Sequence, residues 1–324
     1  MDISVVIPVY QSQAQLRTLV HRLLPVLEST GLRYEVIFVD DGSPDSSWDV
    51  LNELQNEHSD CIVAIQLMRN YGQHNALMCG FRHSQGKLVV TMDDDLQNPP
   101  EELPKLLDEL RNRNLDLVYG APRVSRHDSC RNFGSALVHA FYRCVFKNPV
   151  TISSFRVMRR ELIDSILTYS LNFTLVDGLL AWNTKRIGQV FVEHHPRQQG
   201  RSGYSFYKLI VHALNLFTNF SLIPLQLITA TGLLAAFGGM TVAAYYVAQH
   251  FLNNIAVPGY ASIIVSVLVL GGIQLLSLGI MGEYLGRLHL NVNRKPQYTI
   301  RSVAGGLDSE ETASVVTSAQ RMPR

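Results

Sequence analysis

The residues best suited to chemistry lie in Thr91–Pro100, TMDDDLQNPP, where the carboxylates of Asp93, Asp94 and Asp95 follow an apolar run ending in Val89–Val90. Carboxylates this close repel one another unless a cation sits between them. Mg2+ and Mn2+ favour oxygen ligands, and Mg2+ commonly takes one or two carboxylates and completes its shell with substrate phosphates. Val89 to Met92 read as a buried strand, along which side chains alternate faces. If that extended geometry persists, Asp93 and Asp95 point the same way and Asp94 points opposite. The competing reading is a solvated acidic loop. Here, however, the acids end a buried strand in an α/β chain, where ligands bind in open sheets. That placement favours a cation.

The elements around this stretch alternate. Ile3–Pro8 is a β-branched run closed by proline, as expected of a buried parallel strand. A helical stripe of Leu16, Leu19, Val20, Leu23, Leu24 and Leu27 follows, ending at Gly31. Tyr34–Val39 is a second strand running into Asp40–Asp41–Gly42–Ser43, and Cys61–Leu67 a third, running into Arg69. Strand, helix and strand with short connections imply right-handed βαβ units and a parallel sheet. After a strand, Asp40 fits either a helix cap or a ligand group. Arg69 fits either a surface ion pair of little worth or a phosphate contact. His74, at a helix start, reads as structural.

Composition divides the chain. The 28 Lys+Arg and 27 Asp+Glu nearly cancel, so no bulk basicity argues for nucleic acid. From Leu209 to Gly282 there is no Asp, Glu, Lys or Arg. Leu222–Gln249 and Ala261–Tyr284 each exceed the roughly 20 apolar residues that cross a bilayer. Residues 204–220 are aromatic and suit a helix at the membrane interface, with a buried core helix as the alternative. The hairpin tip His250–Tyr260 has no Lys or Arg, whereas Arg287, Arg294, Lys295 and Arg301 follow the second span. The positive-inside tendency therefore places the tail and the N-terminal domain in the cytoplasm. Cys61, Cys79, Cys130 and Cys144 lie far apart, without zinc spacing, and read as reduced thiols in a cytosolic environment. Ile3–Val9 lacks a basic flank and breaks at Pro8, so it reads as a strand and not a signal peptide.

VVIPVY, VDDGS, RNYGQHNALMCGF and DDDLQNPPEELP, in this order and spacing, resemble the inverting GT-A glycosyltransferases of family 2. Together with VSVLVLGGIQLLSLGIMGEYLGRLHLNVNRKPQY, they resemble most the polyprenyl-phosphate sugar transferases: bactoprenol glucosyltransferases, the aminoarabinose transferase of lipid A modification and dolichol-phosphate mannose synthases. The resemblance covers Ile3 to Ile300. It implies a cytosolic Rossmann-like α/β nucleotide-sugar domain over residues 1–203 and an amphipathic interfacial helix over 204–220. A two-helix transmembrane hairpin over 221–286 and a basic cytosolic tail over 287–324, disordered at its end, complete the expected order. It also implies residue roles. Pro8, Val9 and Tyr10 would line a base pocket, and Asp40 would meet the uracil or ribose. Asp93 and Asp95 would bracket Mg2+ or Mn2+ on the diphosphate, with Asp94 on the nucleotide and Gln97 close by.

The expected reaction is inverting transfer from a nucleotide sugar, UDP-linked by resemblance, to a polyprenyl phosphate, for cell-surface glycan or lipopolysaccharide modification. Its place would be the cytosolic face of a bacterial inner membrane, and a homo-oligomer is compatible with the resemblance. Arg69, Arg197, Arg201 and Lys208 are the candidate phosphate contacts. Three departures stand out. Gln11-Ser12 replaces the Asn-Glu of many relatives, and Ser153-Ser154-Phe155-Arg156 lacks the acid many bacterial relatives carry. The basic loop ends Ser202-Gly203-Tyr204-Ser205 without the usual lysine. Two other readings remain. A processive polysaccharide synthase would carry a Gln-x-x-Arg-Trp motif, and neither Trp48 nor Trp182 lies in one. A membrane scaffold that lost its chemistry would account for the missing acids.

Overall fold

The computed structural model describes residues 1–122, 150–169, 174–195, 223–253, 260–292 and 296–305. The chain forms two units, one of residues 1–202 with 296–324 and one of 203–295. In the first, an eight-stranded sheet runs in the order β7-β5-β6-β4-β1-β2-β3-β8. Its strands are β1 (Ile3–Val9), β2 (Tyr34–Asp40), β3 (Ile62–Leu67), β4 (Leu88–Thr91), β5 (Leu117–Pro122), β6 (Arg156–Arg159), β7 (Ile187–Val192) and β8 (Ile300–Ala304). β4, β1, β2 and β3 are mutually parallel, as the βαβ pattern predicts, whereas β6 runs antiparallel between β4 and β5.

β1 is buried along its whole length because both faces of the sheet are covered. Ile3, Val5, Ile7 and Val9 pack with the leucines of α1 (Leu16–Ser29), α2 (Ser47–Glu57) and α4 (Leu103–Asn112). Val6, Ile37 and Val39 face α3 (Gln73–His83), α5 (Arg160–Leu167) and α6 (Val176–Asn183). Each apolar stripe therefore serves one layer of a three-layer domain.

The carboxyl ends of β1, β2 and β4 converge at the acidic stretch. β4 stops at Thr91, and Asp94 and Asp95 lie in a turn. Leu96 is left-handed at φ 59°. The alternation expected through Asp93–Asp95 is thus corrected, because the extended geometry it needs ends before the acids begin.

Residues 287–324 also differ from a simple tail. Ile300–Ala304 is an edge strand, antiparallel to β3. Sequence gave no cue because Ile300–Ala304 is short and half exposed, and only its partner makes it a strand.

In the second unit, α7 (Ile223–Asn253, 31 residues) and α8 (Tyr260–Val292, 33 residues) contact each other. At about 1.5 Å per residue each exceeds the roughly 30 Å hydrocarbon core. Among the described residues one window, Val269–Gly286, is long and apolar enough to cross a membrane. Leu225–Thr241 is apolar but shorter. None of the Val269–Gly286 window is buried against protein. The expected interfacial helix at 204–220, and Arg197, Arg201 and Lys208, lie outside the described residues.

Candidate active site

The site begins where β1 gives way to loop. Gln11 takes φ 56° and its N–H donates to Ser43 Oγ at 3.1 Å, while Ser12 N–H donates to Ser47 Oγ at 3.0 Å. These bonds tie the β1 loop to the β2 loop. Tyr10 is left exposed at the rim. Val9 is different. Its side chain belongs to the core and its carbonyl accepts the Asp41 N–H at 2.9 Å, so its part in a base pocket is limited to shaping the backbone. Pro8 is likewise buried.

Asp40 and Asp41 end β2 and divide in role. Asp41 accepts Tyr71 N–H at 2.7 Å and Gly72 N–H at 2.8 Å, one on each oxygen, and so fixes the loop after β3. Gly42 allows that loop to come close. A Cβ there would lie 2.5 Å from the Arg69 carbonyl carbon, and φ is +67°. Asp40 Oδ1 accepts Ser43 N–H at 3.1 Å, but Oδ2 is buried and has no hydrogen-bond partner among the described residues. Burial pushes the Asp40 pKa up, partly offset by Ser43 and by the approach of the Gln66 side chain. A buried acceptor without a donor is costly. It fits a carboxylate that meets a ligand N–H or hydroxyl.

Asp93 is held by side chains. Gln73 Nε2 donates to Oδ1 at 2.7 Å, and the Ser154 hydroxyl donates to Oδ2. Behind them, Arg156 is fully buried, donates to Thr91 Oγ1 at 3.0 Å and pairs with Asp177, which also accepts Tyr119 OH at 3.0 Å. Burial raises the Asp93 pKa, the Asp95 charge adds to that, and Ser154, Arg156 and Gln73 oppose it. Asp94 turns back toward β1, where Tyr10 N–H approaches at 3.4 Å and Ser12 also bonds it. Its pKa is pushed up to about 6, first by burial and then by Asp93. Asp94 therefore joins the β1 loop, contrary to the expectation that it faces away.

Asp95 Oδ1 accepts Gln97 N–H at 3.1 Å, and the Gln97 carbonyl accepts His195 N–H at 2.9 Å. The described residues include no group of three His, Cys, Asp or Glu placed to hold a metal alone. Crowded, half-buried, all-oxygen donors still fit Mg2+ or Mn2+ with a shell completed by substrate phosphate. Arg69 is exposed, its guanidinium 4.7 Å from the Tyr71 ring centre.

The structure brings Asp40, Asp93, Asp94, Asp95, Gln97 and Tyr10 to one end of the sheet. Sequence reasoning missed Gln73, Ser154, Arg156 and Asp177 as supports. The signal for Ser154 existed, since it stands where many relatives carry an acid.

A doubly covered sheet with an acidic turn at its carboxyl end is compatible with a nucleotide-sugar transferase, and the comparisons supply the family. Residues 4–167 match glycosyl transferase family 2. An uncharacterized glycosyltransferase of Synechocystis sp. is 33% identical over 94% of this chain and 96% of its own length. The chain belongs to glycosyl transferase family 2. It is a glycosyltransferase that uses a nucleotide sugar. The fold is also that of glucosyl-3-phosphoglycerate synthase from Mycobacterium tuberculosis, crystallised with phosphoglyceric acid. That match has a TM-score of 0.50 and 18% identity, over 68% of this chain and 80% of that one. A second structure of that enzyme, with Mn2+, UDP-glucose and phosphoglyceric acid, has a TM-score of 0.49 and 18% identity, over 67% and 77%.

Proposed function

We propose that the chain transfers a sugar, with inversion, from a UDP-linked donor to a polyprenyl phosphate at the cytosolic face of a bacterial inner membrane. The observation that carries this reading is the union, in one chain, of a sheet-end acidic site with α8, whose Val269–Gly286 window suits a bilayer. A helix of that kind in the same chain suits an acceptor that itself lies in a bilayer. The Lys and Arg that follow it, against none in His250–Tyr260, support a cytoplasmic domain and tail.

Asp40 Oδ2 would take the base or ribose donor, with Tyr10 against the base. Asp93 and Asp95 would hold Mg2+ or Mn2+, with Gln97 adjacent. Such an ion supplies charge stabilisation for the departing diphosphate. Gln73 and Ser154 hold the Asp93 carboxylate in place without neutralising it. Ser154 is engaged there, and this segment offers no carboxylate as a base. None is needed, because a phosphate monoester ionises a second time near pH 6 and is mostly a dianion at neutral pH. The protein must place that dianion and hold its charge. Arg197, Arg201 and Lys208 are the proposed holders of the acceptor, and Arg69 a contact to phosphate or sugar.

The test is a panel of nucleotide sugars offered to the full-length protein with polyprenyl phosphate, read by the mass of the lipid product. One donor should yield a glycosyl phospholipid. Transfer only to a soluble phosphorylated acceptor, such as phosphoglycerate, would overturn the lipid assignment.

A further inference from the structure

β8 joins the catalytic sheet only after the chain has passed through the helical unit, and it takes the sheet edge next to β3, whose other neighbour is β2. Ser302 of β8 is paired with Gln66 of β3, and Gln66 with Asp40 of β2. The preceding row on the same sheet face is apolar: Ala64 and Phe38 in the core, and Ala304 half-buried against it. Polar side chains replace that core at the last row before the site. The Ser302 hydroxyl donates to Gln66 Oε1 at 3.3 Å. An amide whose oxygen is engaged on one side presents its NH2 to the other. On that side stands Asp40, the neighbouring residue of the row, whose Oδ2 is without a hydrogen bond among the described residues and whose raised pKa the Gln66 side chain partly offsets.

Neighbouring residues of the same segment reinforce the contact. The register shifts between Gln66 and Leu67, and beyond it Met68 N–H donates to the Thr299 carbonyl at 2.9 Å. Arg301 Nη2 donates to the Met68 carbonyl at 3.2 Å, so both backbone groups of the residue before Arg69 are held from β8 or the residue preceding it. Gln297 Nε2 donates to Thr174 Oγ1 at 3.1 Å, and Tyr298 bonds the buried Cys79 thiol on α3.

We propose that β8 is a positioning element of the donor site, in which Ser302 orients the Gln66 amide and Gln66 in turn holds Asp40 for the nucleotide. The inference rests on the reading of Asp40 as a nucleotide ligand. Nucleotide affinity then depends on a strand supplied from beyond the helix pair, and sheet formation alone does not explain the row. Backbone pairing holds β8 to β3 whatever stands at 302, whereas the amide of Gln66 has no fixed orientation without a partner.

The experiment uses the full-length protein in detergent micelles with Mg2+. UDP binding is titrated calorimetrically, and donor KM and kcat are measured alongside. Ser302→Ala should weaken UDP binding about three- to ten-fold, the loss of one hydrogen bond. Donor KM should rise by the same factor, with kcat within two-fold. Ser302→Thr, which keeps the hydroxyl, should restore wild-type binding. Gln66→Leu should weaken binding at least as much, and adding Ser302→Ala to it should cost nothing more. If Gln66→Leu does not fold, the Ala and Thr pair at 302 decides alone. Wild-type binding in Ser302→Ala, failure of Thr to restore it, or full additivity with Gln66→Leu would overturn the inference. If the wild type binds no uridine nucleotide, the functional reading fails and takes the inference with it. Tight wild-type binding that Ser302→Ala leaves unchanged removes the inference alone.

Discussion

β2 and β4 flank β1 on either side, and aspartates stand at or just past the end of each, but Asp41 and Asp93 are held by different kinds of donor. At β2, Asp41 takes two backbone N–H groups and Asp40 one, leaving Asp40 Oδ2 without a partner among the described residues. At β4, Asp93 is met by two neutral side chains, Gln73 and Ser154, and Asp95 stands close enough to raise its pKa by repulsion. Backbone donors lock a loop in one shape. Side-chain donors hold a carboxylate in place while its negative charge persists. The β2 pair thus suits recognition through the unpaired Asp40 Oδ2, and the β4 run, where three carboxylates crowd and repel, suits a cation.

The strongest test of that division is at β4. Asp93→Asn and Asp95→Asn should each lower sugar transfer at least about 100-fold, as loss of charge stabilisation at a leaving group does. Thermal unfolding should be unchanged or shifted upward, since one of several crowded, half-buried like charges has gone. Asp94→Asn should act mainly on donor KM, because Asp94 meets the Tyr10 amide. A collapse of unfolding temperature in Asp93→Asn would mean that the run holds the fold together and not the substrate.

A smaller effect is expected at β2. Asp40→Asn should weaken UDP binding about ten-fold, at the low end for a hydrogen bond to a charged group, with kcat within a few-fold of wild type. Calorimetry and initial rates give the two numbers independently. A fall in kcat equal to that at Asp93 would erase the distinction between the runs.

Much of this site could be read directly from the sequence, because strand ends in an α/β chain are marked by the apolar runs before them. Placing Asp40 and Asp93–Asp95 past strand ends needed only that pattern, whereas a ligand role for Asp40 over a helix cap came from the family resemblance. What escaped notice depends on contacts distant in the chain. Ser154 reaches Asp93 across 61 positions and Ser302 reaches Gln66 across 236. No local periodicity encodes such pairs. The turn at Asp94–Asp95 escaped for a different reason. Alternation predicts which face a side chain takes only while the strand lasts, and β4 ends at Thr91. Leu96 at positive φ is a conformation its residue type does not announce.

The subtlest consequence of the comparison is a slope in pH at Asp41. Burial raises its pKa above the ordinary carboxylate value, and the Tyr71 and Gly72 N–H groups offset only part of that. The folded state therefore binds this proton more tightly than the unfolded chain does. A raised group contributes stability fully below its unfolded pKa, and loses that contribution as pH rises through the folded value. Asp41→Asn cannot titrate, so the stability of wild type relative to the variant should fall as pH is raised from strongly acid toward neutral. Asp116 is the control of opposite sign. Burial pushes it up, but Arg186 and Thr184 bring it below the ordinary value, so its contribution is present above the unfolded pKa and is lost as pH falls. Urea unfolding of wild type, Asp41→Asn and Asp116→Asn at a series of pH values reads both slopes. If Asp41 showed the slope of Asp116, its two backbone donors would outweigh burial. The β2 run would then hold a stabilised charge, and its contrast with β4 would rest on Asp40 alone.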